Sequence, residues 1–375
     1  MGKTLSEIAQ QLQDSEKKVQ LIYAFNGVGK TRLSREFKEL IAKTDSEEDG
    51  DSKNKVLYYN AFTEDLFYWD NDLDKDVDRK LVIQDNSFTD WILREEGKEK
   101  DIAAHFEHYT NSKTTPRYSP DFSEVTFYIP GQGDPETNKI KISKGEESNF
   151  IWCIFYSMLE AVIKELNEPK ANRSTDRFDD LQYIFIDDPV SSLDENHLIE
   201  LAVDLANLVK GSKSELKFII TTHSPLFFNV LFNEFKNGLK YILIKPEDNM
   251  YKLQIQENDS TFAYYLYILE ELKNAIAMNS IKKYHFNFLR NILEKSATFL
   301  GYPQWGEMLK ELDDKYSARL INLASHSSLS TDESAILTDE DKDIIKKIVE
   351  HLEDKYHFQI NPIQSSTTTS TTSSR

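Results

Sequence analysis

A glycine-containing turn between an apolar run and an amphipathic segment constrains the fold of this chain more than any other feature. The run Val19–Phe25 is rich in β-branched and aromatic residues, which indicates a strand. The turn Ala24-Phe25-Asn26-Gly27-Val28-Gly29-Lys30-Thr31 follows, and Thr31–Lys43 has the apolar spacing of a helix. Because backbone N–H groups at such a helix start can surround phosphate, the sequence predicts a phosphate-binding loop.

The residue types of this loop suit a nucleoside triphosphate with Mg²⁺. Gly27 and Gly29 let the backbone N–H groups that follow Asn26 turn toward phosphate oxygens. Lys30 would reach the β- and γ-phosphates, and the Thr31 hydroxyl would bind Mg²⁺. A glycine turn with an exposed lysine is the structural alternative.

Four later segments carry residues that suit the same ligand. Each segment alone has a structural alternative as a strand-end turn, a helix cap or a core histidine. Asp187, at the end of a buried strand, would hold Mg²⁺ directly or through water, and Asp188 would orient or deprotonate the attacking water. The candidates are Ser143, Gly145 and Glu146 before the helix at Phe150, Asp187 and Asp188 after Leu181–Ile186, Asp194 in Ser191–Asp194, and His223 in Thr221–Ser224.

In their order along the chain, the five segments resemble the ABC-type ATPase heads of Rad50 and of structural-maintenance-of-chromosomes proteins. Walker A, signature, Walker B, D-loop and His-switch motifs begin here near residues 24, 142, 183, 191 and 223. The resemblance implies an α/β fold, an ABC-type (P-loop) NTPase head over residues 1–262 with a mixed or largely parallel sheet. It also implies a homodimer of heads, or a tetramer, in which Ser143 and Gly145 contact the partner's γ-phosphate, His223 senses γ-phosphate and Asp194 couples the sites.

Three residues depart from this pattern. Ala24 replaces the first glycine of the loop, Lys144 replaces a signature glycine, and Asp188 replaces the usual catalytic glutamate. The shorter carboxylate would suit slow hydrolysis and a switch. Gln84 is a candidate for the Q-loop.

The charge balance limits the partners that the chain can bind. Acidic residues number 64 and basic residues 45, and the net charge of −19 argues against coating of nucleic acid by the whole surface. A single cysteine excludes a disulfide scaffold and cysteine-rich zinc sites. No secretory signal is recognisable and no apolar run reaches the ~20 residues of a membrane span, so we expect a cytoplasmic protein with no membrane partner.

From Thr261 the pattern becomes almost purely helical, and one segment there is locally basic. Residues 282–295 contain four basic residues, one acidic residue and several aromatic rings, a composition that suits single-stranded or loop RNA. A solvated helix face with core aromatics is the alternative. The candidate RNA-binding residues are Lys282, Lys283, Tyr284 and His285.

Arg290 and Glu294 share a helix face at a spacing of four residues, and His326 lies between serines downstream. With these residues, nearly the whole chain resembles the tRNA-lysine anticodon nucleases of the PrrC type. The resemblance implies that Arg290, Glu294 and His326 form a metal-independent ribonuclease site in a helical nuclease domain over 263–364. Residues 365–375 are Ser, Thr and Arg, which indicates a disordered tail.

The implied chemistry uses the ribose 2′-OH as nucleophile. Glu294 or His326 would take its proton, protonated His326 would protonate the leaving 5′-oxygen, and Arg290 would stabilise the phosphoryl charge. The products would be a 2′,3′-cyclic phosphate and a 5′-OH, with no metal at this site.

The resemblance also implies a biological setting. The cut would lie 5′ of the wobble base of tRNA-Lys and would arrest translation during phage defence. A type I DNA restriction-modification complex would hold the enzyme silent until a phage-encoded restriction-inhibitor peptide releases it. The implied cofactors are Mg²⁺ with GTP or ATP, and dTTP as a stabilising ligand. The alternative is an ABC-type ATPase of DNA repair or defence without its own nuclease activity.

Overall fold

The computed structural model divides the chain into two compact units, Met1–Phe262 and Ala263–Arg375. In the described part, no helix is both long and apolar enough to cross a membrane. The described residues are 2–45, 55–60, 65–70, 78–110, 113–133, 138–189, 195–245, 250–256, 264–310, 312, 316 and 337–358.

Among its described residues, unit 1 contains ten strands and six helices of nine or more residues. The strands are β1 (Val19–Tyr23), β2 (Val56–Tyr59), β3 (Phe67–Asp70), β4 (Lys80–Ile83), β5 (Thr115–Tyr118), β6 (Glu124–Tyr128), β7 (Tyr183–Asp187), β8 (Lys217–Thr222), β9 (Leu239–Ile244) and β10 (Lys252–Ile255). The helices are α1 (Leu5–Gln13), α2 (Lys30–Asp45), α3 (Glu99–Thr110), α4 (Lys144–Asn167), α5 (Glu195–Gly211) and α6 (Pro225–Glu234). Shorter helical segments are Ser87–Thr89 (α), Asp90–Glu95 (π) and Lys170–Asn172 (3-10).

The main sheet has six strands in the order β10-β9-β1-β8-β7-β2. All pairs are parallel except the one between β9 and the edge strand β10. Every residue of β1 and of β7 is buried, including the polar Gln20 and Asp187, as expected for strands of a parallel sheet covered on both faces. Since parallel strands end at one edge, the loops after β1, β7 and β8 meet there.

A second, antiparallel sheet has the order β3-β4-β6-β5. The segment Glu124–Ile142 has strand-like residues on both sides of the turn Pro130-Gly131-Gln132-Gly133, and only the first of these two runs forms a strand. After the turn, Ile140 makes a single antiparallel bridge to Phe127. The run stops there because Ser143 already caps the next helix.

Unit 2 is helical over its described residues. It contains α7 (Tyr264–Ala277), α8 (Tyr284–Leu300), a short turn at Trp305–Leu309 and α9 (Asp339–Tyr356), which share one hydrophobic core. The helical pattern from Thr261 is confirmed, but it is interrupted after α7. Asn279 takes a left-handed φ of 51° and Ser280 donates its N–H to Ala275, which closes α7.

Candidate functional site

The loop between β1 and α2 has the backbone that a phosphate-binding loop requires. Gly27 has φ of 79° and Gly29 has φ of 121°, both in the region that favours glycine. A Cβ atom at Gly27 would meet nothing within 4 Å among the described residues, so its conformation and not its surroundings selects glycine. The predicted strand, turn and helix are therefore confirmed, and the loop leaves room beside Gly27.

Lys30 is the first residue of α2 and is only 6% exposed. Its Nζ donates to the carbonyl oxygen of Ala24 at 3.1 Å and to Oδ1 of Asn26 at 3.2 Å, and it lies 3.5 Å from Oδ2 of Asp188. The ammonium group thus faces oxygen acceptors of its own loop. Phosphate oxygens of a bound nucleotide can replace these acceptors without moving the charge away from the loop.

Asp187 is 3% exposed, and both of its carboxylate oxygens accept hydrogen bonds. Thr31 donates its hydroxyl to Oδ2 at 2.7 Å, and Thr221 donates to Oδ1. Burial raises the pKa of Asp187, although the two hydroxyl hydrogen bonds and the charge of Lys30 act in the opposite direction. The sequence placed Thr221 in the His-switch segment and gave it no role. The sequence feature that could have pointed to Thr221 is its position as a polar residue at the end of a buried strand.

Thr31 and Asp187 also fit the predicted magnesium site. A hydroxyl and a carboxylate are the hard oxygen donors that Mg²⁺ takes. Their oxygens are 2.7 Å apart, and neighbouring ligands of an octahedral Mg²⁺ with bonds of 2.0–2.1 Å lie about 2.9 Å apart. When bound, Mg²⁺ would neutralise phosphate charge beside Lys30.

Asp188 and His223 form one hydrogen-bonded group at the ends of β7 and β8. The Nδ1 atom of His223 lies 2.6 Å from Oδ2 of Asp188, and the backbone N–H of His223 donates to Oδ1 at 3.2 Å. Burial raises the pKa of Asp188, but the hydrogen bonds from His223 and the charge of Lys30 outweigh it, so the pKa lies below its ordinary value. Asp188 has φ of 54°, an unusual conformation that these contacts hold.

The predicted signature residues form the first turn of α4. Ser143 is the N-cap: its hydroxyl accepts the N–H of Glu146 at 3.2 Å, and Glu146 accepts the N–H of Ser143 at 2.8 Å. Gly145 lies in the same turn, and Lys144 pairs with Glu147 at 2.5 Å. This reciprocal cap explains the residue types locally, and the predicted contact with a γ-phosphate remains a prediction. Asp194 lies outside the described residues.

In unit 2, Arg290 and Glu294 share a face of α8, as their spacing predicted, and they also form an ion pair. The Nε atom of Arg290 donates to Oε1 of Glu294 at 2.7 Å on α8. Their side chains are 37% and 40% exposed, so the pair is within reach of a ligand. The third predicted residue, His326, lies outside the described residues.

The four predicted RNA-binding residues divide into two kinds. Lys282, Lys283 and Tyr284 are exposed at the start of α8. His285 is 2% exposed, and its Nδ1 accepts the backbone N–H of Lys282 at 2.8 Å. In this conformation His285 orders the helix start from inside, and RNA contact at the three exposed residues remains a prediction. The sequence also gave no role to Glu271, which accepts a hydrogen bond from the Tyr284 hydroxyl at 3.3 Å.

Solved structures with some similarity are heads of structural-maintenance-of-chromosomes proteins. The SMC head domain from Thermotoga maritima is 11% identical, covers 65% of this chain and 91% of its own, and has a TM-score of 0.32. An SMC head bound to the C-terminal winged-helix domain of ScpA is 12% identical, with the same coverage and a TM-score of 0.31. Neither TM-score is high enough to support a conclusion about this chain.

Sequence relatives are more informative. The family model described as an AAA domain matches residues 99–353. A protein of Escherichia coli named "Anticodon nuclease" is 49% identical over 389 aligned residues, which cover 96% of this chain and 98% of that protein. The predicted fold class, an α/β P-loop NTPase head followed by a mainly helical part, is confirmed. The chain belongs to the anticodon nuclease family and carries an AAA domain.

Proposed function

We propose that this chain is an NTP-gated endoribonuclease that cleaves the anticodon loop of tRNA-Lys on the 5′ side of the wobble base. The observation that supports this most is the 49% identity with an anticodon nuclease across 96% of the chain. The nucleotide-binding domain spans residues 1–262, the nuclease domain spans 263–364, and 365–375 form a tail.

Cleavage uses the ribose 2′-OH that precedes the scissile phosphate. Glu294 or His326 removes the hydroxyl proton, and the oxygen attacks phosphorus to form a 2′,3′-cyclic phosphate. Protonated His326 donates a proton to the 5′-oxygen, which leaves as a hydroxyl. Arg290 uses one donor on Glu294, and its guanidinium carries further N–H donors for the phosphoryl oxygens. No metal takes part in this scheme.

The head supplies the gate. Asn26, Gly27, Gly29 and Lys30 hold the triphosphate of GTP or ATP. Thr31 and Asp187 hold Mg²⁺, an assignment that their 2.7 Å hydrogen bond supports. Asp188 orients the attacking water, and His223 senses the γ-phosphate. The hydrogen bond between their side chains supports roles at one place in the site. In a homodimer of heads, the nucleotide is also contacted by residues of the partner head, namely the partner's copies of Ser143, Gly145, Glu146 and Asp194. Binding of dTTP stabilises the active form.

The biological partners follow from the resemblance to PrrC-type nucleases. A type I DNA restriction-modification complex keeps the nuclease inactive in the cytoplasm. A phage-encoded restriction-inhibitor peptide activates it, and loss of tRNA-Lys then stops translation.

The proposal is tested by mapping tRNA ends in cells that express the chain. Arg290→Ala and His326→Ala should remove a cut in the tRNA-Lys anticodon loop, with at least a ~100-fold loss of cleavage. Lys346→Ala is the matched control, since Lys346 belongs to an exposed pair of the same spacing in unit 2, 4.0 Å from Glu350. It should cleave like the wild type and leave a cyclic-phosphate end.

Two outcomes would contradict the proposal. If nucleotide-activated wild type makes no cut, the ATPase without nuclease activity becomes the better assignment. If Arg290→Ala and His326→Ala both cut like the wild type, the assigned nuclease site is wrong. A cut in a different tRNA would overturn only the substrate specificity.

A further inference from the structure

The side chain of Tyr251 lies beside Gly29 of the phosphate-binding loop. The three atoms nearest to a Cβ atom built at Gly29 all belong to the Tyr251 side chain: Oη at 3.4 Å, Cε1 at 3.5 Å and Cζ at 3.8 Å. Tyr251 is 5% exposed, so the ring is enclosed by protein and not by solvent. It therefore lies at van der Waals distance from the place that a Cβ atom at position 29 would occupy.

Several elements outside the loop fix this ring. Tyr251 directly precedes β10 and forms an antiparallel bridge with Lys3, with two backbone hydrogen bonds of 2.7 Å. The Nζ atom of Lys245 at the end of β9 lies 5.8 Å from the ring centroid. The ring also belongs to a hydrophobic cluster with residues of α1, α2 and β9, which include Leu5, Ile8, Leu33, Phe37, Tyr241 and Leu243.

The contact matters because Gly29 has no side chain to restrict its backbone, although its carbonyl oxygen accepts the N–H of Leu33 at 2.9 Å. A glycine with positive φ samples a wide range of backbone conformations when its neighbours allow it. A loop that is ordered only on binding gives up conformational entropy at that moment, which weakens its affinity. A tyrosine side chain beside Gly29, in the direction in which a Cβ atom would point, limits the conformations of Gly29 before the ligand arrives.

We propose that Tyr251 is a positioning residue of the phosphate-binding loop, which holds Gly29 in the conformation that presents the loop's N–H groups to a nucleotide phosphate. The inference rests on the nucleotide site of the proposed function and adds a residue from outside its five motifs. Tyr251 acts through Gly29 and not by touching the nucleotide. In this proposal the effect comes from the ring, whose Cε1 and Cζ atoms lie just behind the nearer hydroxyl oxygen.

The experiment uses the full chain and fluorescent N-methylanthraniloyl derivatives of ATP and GTP with Mg²⁺. Tyr251→Leu removes the ring and should raise the dissociation constant ~10-fold, equivalent to ~1.4 kcal/mol. Tyr251→Phe keeps the ring and should bind within about twofold of the wild type. The control is Tyr109→Leu, because Tyr109 is a tyrosine of α3 that is 1% exposed and lies outside the hydrophobic cluster that contains Tyr251. It should lower the melting temperature about as much as Tyr251→Leu and leave the dissociation constant unchanged.

Hydrogen–deuterium exchange without nucleotide supplies a readout that a general loss of stability does not move. Amides of the loop 24–29 should exchange faster in Tyr251→Leu than in Tyr109→Leu. Equal exchange in the two variants, or an equal loss of affinity, would overturn the inference. If the wild type itself binds neither nucleotide, the nucleotide site of the proposed function fails, and the exchange rates alone decide whether Tyr251 positions the loop.

Discussion

The hydroxyl of Thr31 donates a 2.7 Å hydrogen bond to Oδ2 of Asp187, which joins the first turn of α2 to the end of β7. The other oxygen of Asp187 accepts the hydroxyl of Thr221 at the end of β8. Two hydroxyls, one from α2 and one from β8, thus orient the buried carboxylate at the end of β7. Such an orientation in advance favours binding of a cation that demands near-ideal geometry, as Mg²⁺ does.

Thr221→Val should weaken Mg²⁺-dependent nucleotide binding by roughly tenfold, because it removes one of the two hydroxyls that orient Asp187 at little change in shape. Titration of the nucleotide at several Mg²⁺ concentrations measures the effect. Thr221→Ser should restore binding, since it keeps the donor. The control is Thr126→Val, whose hydroxyl lies on β6 and makes only a 3.4 Å contact to Arg117. Equal affinities for Thr221→Val and wild type would show that Asp187 needs no second donor.

Lys30→Ala should abolish nucleotide binding and, with it, activation of RNA cleavage. The ammonium of Lys30 faces the loop oxygens and is 6% exposed, so no other described lysine can take its place without rearrangement. Lys38→Ala, an exposed lysine on the same helix, is the control and should bind nucleotide normally. Both affinity and nucleotide-stimulated cleavage are measured on purified protein. A Lys30→Ala protein that cleaves as well as the wild type would disprove nucleotide gating.

The parts of the head that could be predicted from sequence are those written in local pattern. The glycine turn before Lys30 and the short apolar runs Tyr183–Ile186 in β7 and Phe218–Ile220 in β8 specify a loop and buried strands without knowledge of any distant contact. The i, i+4 spacing of Arg290 and Glu294 fixes their separation once a helix forms.

The parts that could not be predicted depend on contacts between distant residues. No local rule shows that Thr221 would bond to Asp187 or that the ring of Tyr251 would meet Gly29. His285 lies in a basic, aromatic segment that suits RNA, yet the helix turns this ring inward. The face of α8 that is buried depends on α7 and α9, which a single segment does not specify.

The stability of unit 2 should fall at alkaline pH through Tyr267. Burial, together with the charge of Glu271, raises the pKa of Tyr267 to about 12. A pKa raised by folding gives stability that is complete below pH ~10 and is lost as pH rises toward 12, by about 1.4 kcal/mol per pH unit. Urea unfolding of the full chain between pH 9 and 12 measures this dependence.

Tyr267→Phe should flatten the alkaline part of that profile, because phenylalanine has no proton to lose. Tyr265→Phe is the control, since Tyr265 is a neighbouring tyrosine of α7 and is 38% exposed. Its profile should match the wild type. Identical profiles for Tyr267→Phe and wild type would mean that other tyrosines govern alkaline unfolding.

Lys282→Ala with Lys283→Ala should weaken tRNA binding and reduce its salt dependence. Both lysines are exposed beside Tyr284 at the start of α8, in a chain whose net charge is −19. Each lysine that neutralises a phosphate contributes about 0.7–0.9 to the slope of log affinity against log salt, so the double variant should lower the slope by about 1.5. Filter binding of tRNA between 50 and 200 mM salt gives both quantities. Lys310→Ala is the control, because this lysine is 69% exposed in the same unit and should change neither quantity. An unchanged slope in the double variant would remove the two lysines from the RNA surface and leave Arg290 as the cation to examine next.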